Sequence, residues 1–389
     1  MVIGNELFLG GAAAQWEQTA RQSPLALDRL FGSHACVRAW YQTLTTPDNV
    51  LCVGALEPHG QAAPFWLPLV RRHRIRQKIR SLETITNDDM WYAPVLGHAG
   101  AHEAVAAIND LAALQEWDQI IFQHVDMARP FWRAVPEICT AHGFRVLVYP
   151  TMHVGTATLS ENVSEYLSHL EGDFRRELKR RMRHLEQKEG PLTVSCVTAP
   201  EEAEAAFYEG FGLELKGWKS FAQSAVLQKR SSGEYFKVLA HAAAARQSLA
   251  LIIMRTEKHA LSFHFCLHMG DDAFLMKTAY HEEFARYGAG QLGAWHAIEA
   301  LGHIGVKRLN FFGQYVPWHT PWQPNIAHYS KIVVMRQGLK RTGAFIPYWA
   351  YARLKEHRLL FRMVKWHQKW WHILRAVNDV IRNLSRHLR

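Results

Sequence analysis

Apolar residues recur along the chain with two spacings, alternation that is typical of strands and three-to-four-residue steps that are typical of helices. In the first half, alternation predicts strands at 49–56, 63–71, 118–125 and 145–150. Helical spacing predicts helices at 101–114 and 131–142. The first half therefore mixes strands and helices rather than forming a bundle or an all-β sandwich.

The second half contains more elements of the same two kinds. The predicted helices span 164–170, 174–189, 200–216, 235–246 and 291–302. The predicted strands span 192–197, 249–256, 260–268, 273–280, 308–312 and 331–336. Strand–turn–strand at 49–71 matches 249–268 in order, and helix–strand at 101–125 matches 291–312. Duplication of one α/β unit is one interpretation of this similarity, although no strict short repeat is present.

Composition fits a folded chain of two or three domains. The chain has 389 residues, of which 48% are apolar and 21% are charged, and this excludes a disordered chain or a disulfide miniprotein. The apolar run 249–254 is far shorter than the ~20 residues that a membrane-spanning helix needs. The five cysteines include no C-x-x-C pair, so we expect reduced thiols in a cytoplasmic protein. The N-terminus has no basic segment that would predict a signal peptide.

The net charge of +10 lies in one segment. Residues 340–389 contain twelve Lys and Arg against Glu356 and Asp379, so the rest of the chain is neutral. A uniformly basic, DNA-binding body is therefore not indicated. The same segment carries an apolar stripe at helical spacing: Trp366, Trp370, Ile373, Leu374, Val377, Ile381 and Leu384. Two interpretations stay open, an amphipathic helix on anionic lipid and a helix that packs back on the protein.

A glycine-rich turn at 288–293 carries the strongest functional signal. Gly288-x-Gly290-x-x-Gly293 opens a predicted helix shortly after a strand, and free amides at a helix N-terminus bind pyrophosphate. A nicotinamide site is disfavoured, because the loop from Tyr280 is long and Asn310 stands where the dinucleotide fingerprint needs an acid. Metal ligation by His264, Cys266 and His268 is not predicted, because residues four apart on a strand are ~13 Å apart.

Four short motifs follow one another along the second half of the chain: Trp218-Lys219, Lys277-x-x-Tyr280, Tyr287-Gly288-Ala289-Gly290 and Asn310-Phe311-Phe312-Gly313. In this order and spacing, residues 160–325 resemble the CelD-type (cellulose-biosynthesis-associated, BioF2-like) acetyltransferases of the GNAT superfamily, which are related in fold to FemAB-like tandem transferases. Residues 31–40 resemble the helix that opens the family's fold. The chain departs from the family at His281, at Asn310 and at Pro317-Trp318-His319, and its glycine turn replaces a Ser-Pro-Gly loop.

The resemblance implies an acetyl-CoA donor and a set of residues around it. The expected cofactor-binding residues are Lys277, Gly288, Ala289, Gly290, Gln291, Leu292 and Gly293. The expected acceptor-binding residues are Trp218, Lys219 and Asn310. For the chemistry, we expect His264 as the base that takes the acceptor's proton and Tyr280 as the acid that protonates the thiolate. Glu214 is a further carboxylate candidate.

A basic run in the predicted helix 174–189 leaves a second function open. It contains Arg175, Arg176, Lys179, Arg180, Arg181 and Arg183. Such a run is most often a solvated helix face, but in the FemAB-like relatives a basic surface helps to bind a tRNA-linked donor.

The sequence thus predicts an α/β (α+β) fold with two GNAT-like lobes, each a mixed, mostly antiparallel sheet flanked by helices. The predicted lobes are 1–155 and 156–340, followed by a basic, Trp-rich, amphipathic helical tail at 341–389. The expected activity is N- or O-acyl transfer from acyl-CoA to a sugar, an exopolysaccharide precursor or an amine, without a metal. The alternatives are a FemAB-like transferase that uses aminoacyl-tRNA on a cell-wall precursor, and a non-catalytic component of envelope polysaccharide assembly with a site degenerate at Asn310 and His319. The expected location is the cytoplasm, with 341–389 on the anionic inner face of the cell membrane.

Overall fold

The computed structural model describes residues 2–3, 10–45, 50–56, 65–74, 79–159, 162–221 and 223–356. The predicted apolar stripe between Trp366 and Leu384 therefore lies outside the described residues. In the part that is described, no helix combines the length and the apolar character needed to cross a membrane.

Strands and helices alternate throughout the described chain. The strands are β1 (Val2–Ile3), β2 (Val50–Leu56), β3 (Phe65–Arg74), β4 (Ile79–Thr84), β5 (Gln119–Asp126), β6 (Arg145–Thr158), β7 (Thr193–Val197), β8 (Leu249–Arg255), β9 (Ala260–Met269), β10 (Asp272–Tyr280), β11 (Arg308–Asn310) and β12 (Asn325–Met335). The helices are α1 (Gly10–Gln22), α2 (Ala26–Phe31), α3 (His34–Leu44), α4 (Ala101–Ala113), α5 (Pro130–Ala141), α6 (Val163–His169), α7 (Gly172–Glu189), α8 (Pro200–Leu215), α9 (Trp218–Phe221), α10 (Arg230–Ala244), α11 (Ala289–His303) and α12 (Leu339–Glu356). Short 3-10 turns lie at Val226–Gln228, Glu282–Tyr287 and Pro317–Trp322.

The same succession of elements occurs twice. A strand, three helices, three strands, a helix and a strand follow one another from β1 to β5, and the same succession runs from β7 to β11. In each set the last two strands pair in parallel, β4 with β5 and β10 with β11, because a helix crosses between them. The described elements therefore form two lobes with the same connectivity.

The two lobes share one sheet and exchange their final strands. The strand order is β1-β2-β3-β4-β5-β12-β6-β11-β10-β9-β8-β7. β12, from the end of the second lobe, pairs with β5 of the first, and β6, from the end of the first lobe, pairs with β11 of the second. β6 and β12 also pair with each other from Asn325 and Thr156 to Met335 and Arg145. From one end the order is β1 to β5 and then β12, and from the other end it is β7 to β11 and then β6. The two halves of the sheet therefore correspond strand by strand, and an approximate two-fold axis passes between β6 and β12.

Helices cover both faces of the sheet in the second lobe. On one face, α8 and α10 bury Phe211 and Phe236 against Phe263 and Phe265 of β9. On the other face, α11 and α7 enclose a separate core that includes Leu185, Leu292 and Ile298. Helices thus pack on both faces of β10, and this packing fixes the position of its C-terminal end.

The predicted fold class is confirmed as a mixed α/β fold with a large sheet flanked by helices. The domain boundaries stay predictions, and the boundary at 155 lies inside β6. Residues 31–40, which were expected to form one helix, span the end of α2, a turn at Gly32 and Ser33, and the start of α3. The Ser33 hydroxyl accepts a hydrogen bond from the Cys36 amide at 3.3 Å and caps α3, which is why two helices form there.

Candidate active site

Two neighbouring strands of the second lobe separate and leave an opening between them. β10 and β11 pair only from Asp272 to Phe274, opposite Arg308 to Asn310. β11 then ends, whereas β10 continues to Tyr280 with a bulge between Leu275 and Lys277. Beyond Phe274, the edge of β10 that faced β11 is thus not paired with another described strand. Its backbone groups can hydrogen-bond an extended ligand in the manner of an added strand.

The helix that follows this opening begins at a left-handed glycine. Gly288 has φ +72° and precedes α11 (Ala289–His303), and an L-residue with a side chain rarely adopts that conformation. The amides of Gln291 and Leu292 both donate to the Gly288 carbonyl at 2.9 Å. The first amides of the helix have no intrahelical acceptor, so the turn presents N–H groups and the positive end of the helix dipole to the opening.

Arg181 of α7 lies directly against this turn. A Cβ atom added to Gly288 would lie 2.8 Å from Nη1 of Arg181. The Arg181 Nε donates to Glu177 Oε1 at 2.6 Å, and Arg180 donates to both oxygens of the same carboxylate at 2.8 Å. These two arginines lower the pKa of Glu177 to about 2. The ionised Glu177 therefore holds Arg181 in place beside the glycine turn.

The turn, the arginine and the end of β10 enclose a cavity of about 340 Å³, called here the larger cavity. Its lining residues are Arg181, His264, Thr278, Ala279, Tyr280, Ala285, Gly288, Gly290, Gln291 and Trp318. Gln291 Nε2 donates to the Trp318 carbonyl at 3.2 Å, and its buried Oε1 has no hydrogen-bond partner among the described residues. An unsatisfied buried acceptor in the lining of a cavity favours a ligand that donates to it.

A second cavity of about 270 Å³ adjoins the first and is called here the smaller cavity. Its lining residues are Leu213, Glu214, Gly217, Lys219, Thr278, Ala279, Tyr280, Glu282 and Trp318. Thr278, Ala279, Tyr280 and Trp318 line both cavities. Of the three predicted catalytic residues, Tyr280 is the one that borders both spaces, so its phenol lies where groups bound in the two cavities would meet.

His264 lies in the wall of the larger cavity. It is 2% exposed, and its Nδ1 has no hydrogen-bond partner among the described residues. Burial, helped by the nearby His296, lowers the pKa of His264 to about 3. The imidazole is therefore neutral at physiological pH and a weak base, since its protonated form is disfavoured there. It does not line the smaller cavity.

Glu214 and the partly exposed Lys219 form an ion pair beside the smaller cavity. Glu214 is 3% exposed, and its Oε1 accepts from Lys219 Nζ while its Oε2 accepts from the Val226 amide at 2.8 Å. Lys219 Nζ also donates to the Thr278 carbonyl at 2.7 Å. Both oxygens of Glu214 are thus engaged, and the pair connects α8 and α9 to β10.

The predicted residues do not all converge on the cavities. Gly288, Gly290, Gln291, His264 and Tyr280 line the larger cavity, and Glu214, Lys219 and Tyr280 line the smaller one. Lys277, Ala289, Leu292, Gly293 and Asn310 line neither. The side chain of Trp218 is not among the described side chains.

Three of these five residues make contacts of their own elsewhere in the fold. Lys277 points to the opposite face of the sheet, where its Nζ lies 3.0 Å from Asp89 Oδ1 of the first lobe. Gly293 allows α11 to approach β9, because a Cβ there would lie 2.0 Å from Ser262 Oγ. Asn310 Nδ2 donates to Thr156 Oγ1 at 2.9 Å and ties β11 to β6. These contacts account for the three residues as packing and pairing groups.

Sequence reasoning did not single out Arg181 or Trp318. Arg181 belongs to a basic run that was interpreted as a solvated face or an RNA surface, and the sequence alone does not indicate which of its six basic residues turns inward. Trp318 lies in a 3-10 turn (Pro317–Trp322) that packs its neighbour His319 on Phe311, with ring centroids 4.6 Å apart. Burial lowers the pKa of His319 to about 4.

The corresponding place in the first lobe is built differently. The helix after β4, α4, starts beyond Gly100, whose amide donates to Glu103 Oε2 at 2.8 Å. A carboxylate therefore lies at the N-terminus of α4. Negative charge at that position disfavours a phosphate. At the corresponding place in the second lobe, the start of α11, lie the Gly288 turn and Arg181. The charge and geometry for an anionic ligand thus occur in the second lobe.

Comparisons with known proteins agree with this placement. Residues 172–320 match the model of an acetyltransferase (GNAT) domain. No curated protein matches the sequence. Among solved structures, a conserved protein of unknown function from Bacteroides thetaiotaomicron superposes with a TM-score of 0.54 and 10% identity, over 83% of this chain and 97% of that one. FemX superposes with a TM-score of 0.53 and 11% identity, over 85% of this chain and 97% of that one.

The likeness to the two solved structures extends over both lobes and concerns the fold alone. The domain match is confined to the second lobe, and it contains Arg181, β10, the Gly288 turn and α11. Residues 172–320 thus match an acetyltransferase (GNAT) domain, and the protein is an acyltransferase enzyme.

Proposed function

We propose that the protein transfers an acyl group, acetyl in the simplest case, from a coenzyme A thioester directly to a nucleophilic acceptor. The observation that carries this proposal is the meeting of three features around one cavity: the Gly288 turn, the Arg181 guanidinium and the open edge of β10. The first two suit the donor's diphosphate, and the third suits its pantetheine arm. GNAT domains use acetyl-CoA as donor, which supports the same assignment.

The donor's diphosphate would bind at the start of α11. Its charge suits the helix N-terminus, where the amides of Ala289 and Gly290 precede the first intrahelical hydrogen bond. Arg181 would add a charge-assisted hydrogen bond to a phosphate oxygen. The pantetheine arm contains two amides, which would pair with the backbone of β10 beyond Phe274. The thioester would then lie near Tyr280, at the end of that strand.

The acceptor would occupy the smaller cavity. Its nitrogen or oxygen would attack the thioester carbon, the carbon–sulfur bond would break, and the sulfur would leave as a thiolate. Tyr280 borders both cavities, so its phenol can protonate the thiolate and the resulting phenolate can take the proton that the acceptor's nitrogen or oxygen loses, which leaves the residue unchanged after the transfer. We therefore keep Tyr280 as the proposed acid.

His264 is better suited to a neutral role than to that of the base. Its low pKa and its absence from the lining of the smaller cavity both argue against proton transfer from an acceptor. As a neutral imidazole in the wall of the larger cavity, it would offer a hydrogen bond to the donor. Glu214 and Lys219 would position Thr278 and the end of β10 rather than exchange protons, because each is already paired.

The lining of the smaller cavity supports a polar acceptor. Glu282 provides a charged hydrogen-bonding group, the paired Glu214 and Lys219 make the wall polar, and Trp318 provides an aromatic surface. A sugar hydroxyl, an exopolysaccharide precursor or an amine would suit such a space, because carboxylates accept from hydroxyl and ammonium groups. We propose a cytoplasmic location, for which the free, buried Cys36, Cys139 and Cys266 provide support.

Thermal unfolding with ligands tests the donor. Coenzyme A and acetyl-CoA should raise the melting temperature, because a ligand that binds only the folded state stabilises it. Gly290→Asp should abolish the shift, since it adds a negative charge at the start of α11 and a Cβ 3.2 Å from Tyr280. Gly212→Asp is the matched control, because a Cβ at Gly212 of α8 would meet no atom within 4 Å. Absence of any shift with the wild-type protein would refute a coenzyme A thioester as the donor.

An aminoacyl-tRNA donor is the second candidate, and the exposed face of α7 favours it. Arg176, Lys179, Arg180 and Arg183 are exposed on the helix that also places Arg181 at the cavity. An RNA backbone could follow this face towards the opening. This alternative predicts tRNA binding that weakens steeply with salt, together with no response to coenzyme A.

A further inference from the structure

The last described helix presents apolar side chains on two neighbouring faces. One face of α12 packs on the shared sheet: Phe345 contacts Met335, and Ala352, which is 6% exposed, joins a cluster with Tyr149 and Val333. Tyr348 lies between them in the same cluster. These positions are spaced by three and four residues, as expected for the buried side of a helix. The helix therefore already has its contact with the protein.

A second stripe, displaced by one residue, points away from the sheet. Ile346 is 56% exposed and Trp349 is 49% exposed. They are the two most exposed large apolar side chains in the described part of the chain. Arg353 continues the stripe, with its guanidinium carbon 5.9 Å from the centre of the Trp349 ring. Leaving such a pair in water is unfavourable, so this outer face has the properties of a contact surface.

Charge determines which partner suits the outer face. The segment that starts at Lys340 holds the whole net charge of the protein, twelve Lys and Arg against Glu356 and Asp379, while the rest of the chain is neutral. An isoleucine, a tryptophan and an arginine on one helix face, within a strongly basic segment, match an anionic lipid surface. Tryptophan favours the headgroup level, and each basic residue near such a surface adds about 1 kcal/mol.

Two other occupants are disfavoured by the same charges. The chain that continues beyond Glu356 is basic itself, so packing it over Arg353 would bring like charges together. A second copy of α12 would meet the same repulsion across a two-fold interface.

We propose that the outer face of α12, formed by Ile346, Trp349 and Arg353, binds the surface of an anionic lipid bilayer. Ile346 and Trp349 enter the headgroup region, and Arg353 contacts the anionic headgroups. The helix lies in the plane of the interface, because its neighbouring face stays packed on β6 and β12. This proposal is independent of the acyl donor and of the acceptor.

Flotation of the full chain with vesicles tests the proposal. The protein should float with vesicles that contain phosphatidylglycerol and not with vesicles of phosphatidylcholine alone, and salt should weaken the binding. The double variant Ile346→Ser, Trp349→Ser should bind at least tenfold more weakly. Val105→Ser is the matched control, because Val105 is 42% exposed on α4 of the first lobe, and it should bind like the wild type.

A further variant and two contrary outcomes distinguish a lipid surface from a second copy of the protein on this face of α12. Arg353→Glu leaves the apolar pair in place and should reduce both binding and its salt dependence. Cooperative thermal unfolding at the wild-type melting temperature confirms that each variant is folded. Unchanged flotation of the double variant would overturn the proposal, since the residues beyond Glu356 would then be sufficient. A wild-type dimer that the double variant converts to a monomer, without flotation of either, would assign the face to a second copy and would also overturn it.

Discussion

Replacing Arg181 with glutamine removes the cationic side chain that, among the described residues, borders both the Gly288 turn and the larger cavity. A hydrogen bond between a charged donor and a phosphate contributes about 1.5–3 kcal/mol, so the dissociation constant of coenzyme A should rise about 10- to 150-fold. Folding should be preserved, because Arg181 and Glu177 are each 37% exposed and such a helix pair contributes about 0.3–0.5 kcal/mol. Isothermal titration with coenzyme A measures the effect.

The neighbouring arginine provides the control for this experiment. Arg180 pairs with the same Glu177 carboxylate, yet it is 65% exposed and does not line the cavity. Arg180→Gln should therefore bind coenzyme A as the wild type does. Equal weakening in both variants would mean that the general charge of α7 attracts the ligand. Wild-type affinity in Arg181→Gln would refute the assignment of the phosphate site.

Three further predictions concern the residues around the cavities. Tyr280→Phe should lower kcat by about 10²–10⁴-fold with unchanged affinity for coenzyme A, because it removes the proposed acid and little else. Gly293→Ala should destabilise the fold by about 1–3 kcal/mol in urea unfolding, because its Cβ would lie 2.0 Å from Ser262 Oγ. For His264, folding lowers the pKa to about 3, so the unfolded chain binds an extra proton between that value and about 6.5, and stability falls as pH falls through this range. His264→Leu should make that fall shallower, and stability above pH 7 should not respond to protonation at this position.

Each of these three has a result that contradicts it. Full activity in Tyr280→Phe would move the acid elsewhere, and a Gly293→Ala protein as stable as the wild type would mean that α11 can shift away from β9. An unchanged acid dependence of stability in His264→Leu would mean that the imidazole is not held neutral in the folded state. The pH dependence of the reaction rate provides a second check on His264. Because the imidazole stays neutral in the folded protein, the rate should show no step near pH 6.5 that is due to this residue.

The sequence predicted most elements of the fold because their apolar spacing is regular. The strands from β8 to β10 and the helix α11 lie within a few residues of the predicted positions, since their buried residues alternate or recur without interruption. β4 (Ile79–Thr84) was missed because its buried positions include polar residues. Ser81 donates to Glu83 Oε1 at 2.8 Å and accepts from Gln119 Nε2 at 3.0 Å, so a buried polar network replaces the apolar pattern.

The exchange of strands between lobes also has no local signal. β12 was predicted to start at 331, but it begins at Asn325 and pairs there with Thr156 of β6. Its first four residues are exposed, so nothing in their hydropathy indicates a strand. Pairing between segments that are about 170 residues apart is a tertiary property, and only the three-dimensional structure reveals it.

The candidate site was predictable where a motif dictates the backbone and not where side chains converge from distant elements. The glycines at 288 and 290 marked the turn, and the end of β10 marked Tyr280. Arg181 and Trp318 reach the cavity from α7 and from a 3-10 turn that lie more than 100 residues apart. Lys277 was assigned to the site by its position on β10, but the bulge after Leu275 directs it to Asp89 instead.

The central claim is that the start of α11 binds the diphosphate of an acyl donor. Titration of the wild-type protein with coenzyme A and with pantetheine, which has the same arm without the diphosphate, tests it most directly. The account predicts binding of coenzyme A and at least a hundredfold weaker binding of pantetheine. Equal affinities, or no binding of coenzyme A at all, would contradict it.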